Sequence, residues 1–138
     1  MKVLSNDKVY VVGFLFSEDL TEVLLVEKQR PKFQVGKLNG IGGGVDEGED
    51  IYDAQVRELK EESDVQTRKD DWIYFADFVF AKGMQVSFLA AKAKGKPKEK
   101  TMTDEEVMWV DMNTLPENVL GDVKPLLFWL KRYSKKTG

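Results

Sequence analysis

Carboxylates carry most of the chemistry open to this sequence. It contains no cysteine and no histidine, so disulfides, thiolate nucleophiles, Cys/His zinc sites and imidazole bases are excluded together. What remains is carboxylates, amines, hydroxyls and any metal they hold. One acidic cluster is Arg57-Glu58-Leu59-Lys60-Glu61-Glu62. On a helix Glu58, Glu61 and Glu62 fall within about 100° of one another. Like charges at such spacings cost roughly a few tenths of a kcal/mol per pair, and Arg57 can reach Glu61 without neutralising all three. A divalent ion is the natural counter-charge, and an all-oxygen donor set favours Mg²⁺ or Mn²⁺ over zinc or copper. The same pattern also fits a solvated acidic helix face, so the cluster alone supports two readings.

A glycine run stands immediately upstream: Gly40, Gly42, Gly43, Gly44 and Gly48. As a loop it can take positive φ and let backbone approach a ligand, while the following helix offers free amides to an anion. By itself such a run is equally a mobile surface turn. Joined to the acidic helix at this spacing, it brings phosphate and metal to one place.

The elements that must position these groups follow from pattern. Asp50 is a plausible N-cap with Asp53 three residues on, and no Pro or Gly interrupts Ile51 to Ser63, which predicts a helix there. Tyr52, Val56 and Leu59 form its packing stripe, with the acids on a different face. Val9 to Phe16 and Glu22 to Glu27 read as strands joined by a turn at Ser17 to Leu20, the first apolar on both faces as a central strand would be. Arg30 to Gly36 is a loop and Lys37 to Ile41 a short extended piece. Trp72 to Ala81 and Met84 to Ala93 form a hairpin turning at Lys82-Gly83. Val107 to Asp111 is a last strand, and Asp122 to Ser134 an amphipathic helix with Pro125 in its first turn. Lys92 to Lys100 is a basic loop, read as a solvated turn or as a guide for an anionic substrate.

At 138 residues, 42% hydrophobic and 33% charged, the chain is expected to form one domain over 1–138. Its net charge of −3 argues against nucleic acid as a bulk partner without excluding a nucleotide. The run Val9 to Phe16 is too short to span a bilayer, and no basic stretch with a cleavage site precedes it. No membrane association and a cytoplasmic location are the expectations. Strands around one internal helix, with a second helix at the end, predict an α/β or α+β sandwich.

The spacing resembles the Nudix box, GX5EX7REUXEEXGU with U bulky and apolar. It is met by Gly43, Glu49, Arg57, Glu58, Leu59, Glu61, Glu62 and Val65, with one departure: Asp64 stands where the family has glycine. The resemblance covers nearly the whole chain and implies an α/β/α sandwich with a mixed sheet. It implies Glu61 and Glu62 as principal ligands of Mg²⁺ (or Mn²⁺), with Glu58 as a further ligand or the base that activates water. A backbone carbonyl near Gly43 would complete the shell, and Arg57 would pair with Glu49. A ligand outside the box often comes from an acidic residue, here Glu105, with Asp104 and Glu106 behind it; three acids before a strand are also simply solvated.

Leu38-Asn39-Gly40-Ile41-Gly42-Gly43, with Phe33 six residues before Asn39, is similar to the oxidised-purine nucleoside triphosphatases of animals, where an asparagine and a phenylalanine contact the base. Asn-Gly is also a turn dipeptide in its own right, and Phe33 could instead plug the core. The Trp-Pro-Asp-Asp pattern of those enzymes is missing, so Asn118 or Asp122 would take the base, Asp122 being equally an N-cap. Gly44 stands where those enzymes have lysine. The resemblance thus implies hydrolysis of a nucleoside diphosphate-linked small molecule by a monomer or homodimer, foremost as a (d)NTP pyrophosphohydrolase that cleans the nucleotide pool. ADP-ribose or dinucleotide hydrolysis, a nucleotide-binding sensor without turnover, and a plain interaction domain are the alternatives.

Overall fold

Alternation along one strand assigns the two sides of the sheet. In the computed structural model, which describes residues 8–80 and 83–137, β1 (Lys8–Phe16) sends Val11 and Leu15 to one apolar cluster and Phe14 and Phe16 to another. Being apolar on both faces, it can be covered on both, and it lies in the middle of the sheet. The remaining strands are β2 (Glu22–Glu27), β3 (Leu38–Asn39), β4 (Ile41–Gly44), β5 (Trp72–Val79), β6 (Met84–Lys92) and β7 (Val107–Asp111). They join as β3-β2-β1-β6-β5, with β4 also on β1 and β7 also on β2. β1 and β6 run parallel and every other pairing is antiparallel, so the sheet is mixed.

Helix α1 (Ile51–Ser63) covers the first cluster with Ala54 and Leu59, and helix α2 (Val123–Thr137) covers the second with Val123, Leu127 and Leu130. This is the expected α/β/α sandwich. Pro125 sits in the first turn of α2 as anticipated, and the helix extends beyond Ser134 to Thr137. Among the described residues no helix is long and apolar enough to cross a membrane.

The structure departs from the sequence reading in three places. Gly42, Gly43 and Gly44 form strand β4 rather than a loop, paired with β1 from Gly13↔Ile41 to Tyr10↔Gly44. Close approach explains Gly42 and Gly43 better than positive φ does, though not Gly44, which has open space around it: a Cβ on Gly42 would stand 1.7 Å from the Val11 carbonyl oxygen. Of the five glycines in the run only Gly48 has a positive φ, +81°. The extended piece Lys37 to Ile41 is split, since Leu38–Asn39 pairs with β2 while Ile41 opens β4. In the hairpin, a register shift between Tyr74 and Ala76 switches the faces of β5, which accounts for its broken alternation. Ala81, expected to end its first strand, and Lys82, expected in its turn, lie outside the described residues.

Both ends of α1 are built as the sequence suggests. The Asp50 carboxylate accepts a hydrogen bond from the Asp53 N–H at 2.8 Å. Asp64, in the family's glycine position, takes the left-handed conformation at φ 60°, and its N–H donates to the Lys60 carbonyl at 3.0 Å. A Lys60–Asp64 ion pair accompanies this conformation, so the departure from glycine leaves the helix exit intact.

Candidate active site

Arg57 is the hub of the acidic cluster. Its guanidinium forks onto Glu49, with Nε and Nη2 each 2.9 Å from a carboxylate oxygen. Nη1 donates to Glu58 at 2.8 Å and reaches Glu61 at 3.3 Å, while Nη2 also donates to the Gly44 carbonyl at 2.9 Å. One planar cation thereby fixes two carboxylates of α1, the carboxylate preceding the helix and the end of β4. Those hydrogen bonds hold the Glu49 carboxyl below its ordinary value and raise Arg57 above its own. The pairing of Arg57 with Glu49 implied by the resemblance is present.

The packing stripe of α1 includes the predicted Tyr52, Val56 and Leu59 and is wider than they are. Ala54, Gln55, Leu59, Glu62 and Ser63 are buried, whereas Tyr52 and Val56 are only partly so. Spacings of four and three residues put Gln55, Leu59 and Glu62 on one stripe, so Glu62 belongs to the buried face while Glu61 stands at the exposed rim. Glu62 is 8% exposed, and its Oε2 has no hydrogen-bond partner among the described residues. Burial, reinforced by the Glu58 carboxylate beside it and by the charge of Glu105, pushes its carboxyl up to about 8; Lys28 offsets part of this.

Glu105 reaches this place because the preceding segment is strapped over the end of α1. The Lys100 N–H donates to the Ser63 carbonyl at 2.9 Å and the Met102 N–H to the Glu62 carbonyl at 3.2 Å. These bonds satisfy carbonyls that a helix end leaves free. Glu105 itself is 5% exposed; it accepts from the Gln29 N–H at 2.6 Å and pairs with Lys28 at 3.3 Å. Its neighbours fare differently, since Asp104 is exposed and pairs with Arg30, and Glu106 is exposed.

The arrangement fits a hard divalent cation. Glu58 and Glu62 lie against each other, Glu62 keeps an orphaned oxygen in a buried position, and Glu105 adds negative charge close by. Gly43 abuts the same carboxylate: a Cβ there would stand 2.6 Å from both oxygens of Glu58. Among the described residues no three acidic side chains already converge at metal-ligand spacing, since Glu58 Oε1 and both Glu105 oxygens are engaged by cations or an amide. Glu58, Glu61, Glu62, Glu105 and the Gly43 backbone are the groups able to hold a cation.

The residues expected to contact a base fall in two segments of the chain, 33–39 and 118–122. Phe33, in a single 3-10 turn over Lys32–Gln34, is 77% exposed and plugs nothing. Asn118 donates from Nδ2 to the Gly36 carbonyl at 3.1 Å, and its own carbonyl accepts from the Leu38 N–H. The Asn39 side chain accepts from the Gly40 N–H at 2.7 Å. Asn118 thereby braces the segment that runs from Phe33 to Asn39. Asp122 is exposed immediately before α2. Sequence reasoning missed Lys28 and Gln55; the second could have been found by centring the buried stripe on Ala54 and Leu59.

Comparison with known proteins places these features in a family. The NUDIX domain model matches residues 7–130. Among curated proteins, the NAD-capped RNA hydrolase NudC of Vibrio atlanticus (strain LGP32) is 27% identical over 89 residues, covering 64% of this chain and 33% of its own. The chain thus spans about a third of the length of the curated relatives it matches. Two solved structures share the fold. A MutT structure from work on Aliivibrio salmonicida and Vibrio cholerae has a TM-score of 0.70 at 24% identity, covering 88% of this chain and 97% of that one. The NUDIX domain of Shewanella oneidensis NrtR, crystallised with ADP ribose, has a TM-score of 0.75 at 19% identity, covering 94% and 90%. With the box residues in place on α1 and the family's match extending over nearly its whole length, the chain belongs to the NUDIX domain family.

Proposed function

We propose that this chain is a divalent-metal-dependent hydrolase of a nucleoside diphosphate linked to another moiety, acting foremost on (d)NTPs to give the monophosphate and pyrophosphate. The observation that carries this reading is the buried Glu62 carboxylate, orphaned at Oε2 and set against Glu58. A buried carboxylate pair without full compensation is costly to keep for structure alone.

Glu58, Glu61, Glu62, Glu105 and the Gly43 carbonyl would hold Mg²⁺ or Mn²⁺. When bound, the ion neutralises phosphate charge and lowers the pKa of the attacking water. The chain's own residues do the rest. Arg57 fixes Glu58 and Glu49 so that the carboxylates do not swing apart. Where Glu58 is not itself a ligand, it accepts the proton of the attacking water while the water oxygen bonds to phosphorus, and the bond from that phosphorus to the bridging oxygen breaks. Phe33 offers a face on which a purine stacks, with Asn39 and Asn118 at its edge.

ADP-ribose or dinucleotide hydrolysis is the second reading, favoured by the NudC relative named for an NAD cap and by the ADP-ribose-bound neighbour. Product analysis with Mg²⁺ across standard and oxidised (d)NTPs, ADP-ribose and dinucleotides separates the readings. Pyrophosphate from a triphosphate supports the first, and two monophosphate products from ADP-ribose or a dinucleotide the second. Nucleotide binding without turnover of any substrate defeats both in favour of a sensor.

A further inference from the structure

Among the buried polar side chains that the reaction leaves unused is Gln55. It is 0% exposed on the inner face of α1 and donates from Nε2 to the Ile41 carbonyl at 2.9 Å, while its Oε1 has no partner among the described residues. Strand β1 accommodates it by giving up a side chain: a Cβ on Gly13 would stand 2.2 Å from Gln55 Nε2. Gly13 is paired with Ile41 in the β1–β4 ladder, so the carboxamide lies across that rung.

Two local rules are broken here together. A buried acceptor goes unsatisfied, and a glycine weakens the middle of a central strand. Alanine at both positions would occupy similar space without either cost, so the bond to Ile41 is the feature these two residues have in common. That bond is one of three by which α1 lies along β4. Gln55 meets Ile41, the Glu58 carboxylate abuts Gly43, and Arg57 donates to the Gly44 carbonyl. Three residues along a helix advance about 4.5 Å and two along a strand about 6.6 Å, so fixing the first contact constrains where the second falls. The other two contacts involve the charged cluster itself, whereas Gln55 hydrogen-bonds β4 from outside it, beside the apolar packing of Ile41 with Ala54 and Leu59.

We propose that Gln55 is a positioning residue, seated in the space left by Gly13, that locks α1 onto β4 and so holds Glu58 against the Gly43 backbone as a pair of cation donors. The inference rests on the metal reading of this site and concerns a contact that reading does not require.

Mn²⁺ affinity of the full chain tests it, measured from the free-ion signal in electron paramagnetic resonance, beside melts in EDTA. Gln55→Met keeps the volume and loses the donor; the double variant Gln55→Ala with Gly13→Ala refills the space from the other side. Both should melt cooperatively in EDTA, and both should bind Mn²⁺ about 10- to 100-fold more weakly, the effect of losing a group that orients a metal ligand. If either folded variant binds Mn²⁺ as tightly as the wild type, the inference fails and the metal reading stands. A wild-type chain that binds no Mn²⁺ overturns both together.

Discussion

The two faces of the sheet are built on different principles. The cluster under α2 is apolar throughout, with Phe14, Phe16, Leu25, Met112, Leu127 and Leu130 almost or entirely excluded from solvent. Under α1, apolar packing around Val11, Leu15 and Leu59 is interrupted by buried Gln55, Glu62 and Ser63 on the helix and by Gln85 and Ser87 on β6. One face can be optimised for burial alone. The other gives up part of that optimum to keep carboxylates and an amide in fixed places, as a site must. The two faces should therefore answer mutation in opposite ways.

Glu62→Gln should produce the largest separation. Loss of a group that holds the metal or takes the water's proton is expected to lower kcat by about 10²–10⁴-fold, read as product formed per enzyme. Burial holds the Glu62 carboxyl protonated up to about pH 8 while the unfolded chain ionises it, so replacing it with a neutral amide should at the same time raise the melting temperature of the metal-free protein at neutral pH. If Glu62→Gln melts lower than the wild type in EDTA, the carboxylate serves stability and the contrast between the faces is wrong.

Leu127→Ala probes the other face. With Leu127 at 0% exposed, the truncation should cost about 2–5 kcal/mol of stability, measured by urea unfolding. kcat of the protein that remains folded should be unchanged. A fall in kcat comparable to that of Glu62→Gln would mean that the α2 face also positions the chemistry.

Which parts of this contrast were legible in the sequence follows from how far each interaction reaches along the chain. Glu49, Arg57, Glu58, Glu61 and Glu62 lie on or just before one helix, so their spacing fixes their relations, and the observed Arg57–Glu49 fork is the one expected. The central position of β1 was legible because its run is apolar on both faces. The burial of Gln55 and Glu62 was not, because Tyr52, Val56 and Leu59 already form an apolar stripe, and the room that Gln55 fills is left by Gly13 on β1, far away in sequence. Likewise the glycines of β4 look like a loop until their partner strand is known. Glu105 is one acid among three until the strap of Lys100 and Met102 onto the end of α1 buries it and leaves Asp104 and Glu106 outside.

A metal-linked melt sharpens the contrast further. At a Mg²⁺ concentration 100 times its Kd, the wild type should be stabilised by about 2.7 kcal/mol relative to EDTA. Leu127→Ala should keep that increment and Glu62→Gln should lose most of it. An equal increment in all three proteins would place the ion somewhere other than the α1 face.

The smallest expected effect comes from a carboxylate belonging to neither face. Asp19, in the turn between β1 and β2, accepts from the Thr21 hydroxyl at 2.7 Å, the Thr21 N–H at 3.1 Å and the Ser17 hydroxyl at 2.8 Å. Those bonds, the Thr21 hydroxyl first, lower its carboxyl from 3.8 to about 2. A carboxyl depressed in the folded state stabilises the fold above its unfolded pKa, and that contribution is lost as pH falls through the folded one. Asp19→Asn should therefore flatten the decline in melting temperature between about pH 4 and pH 2, leaving stability at neutral pH only slightly reduced and the Mg²⁺ increment untouched. An unchanged acid decline would show that the turn's hydrogen bonds do not persist in solution. A lost Mg²⁺ increment would show that the turn and the site are coupled through β1, along which Gly13 meets Gln55.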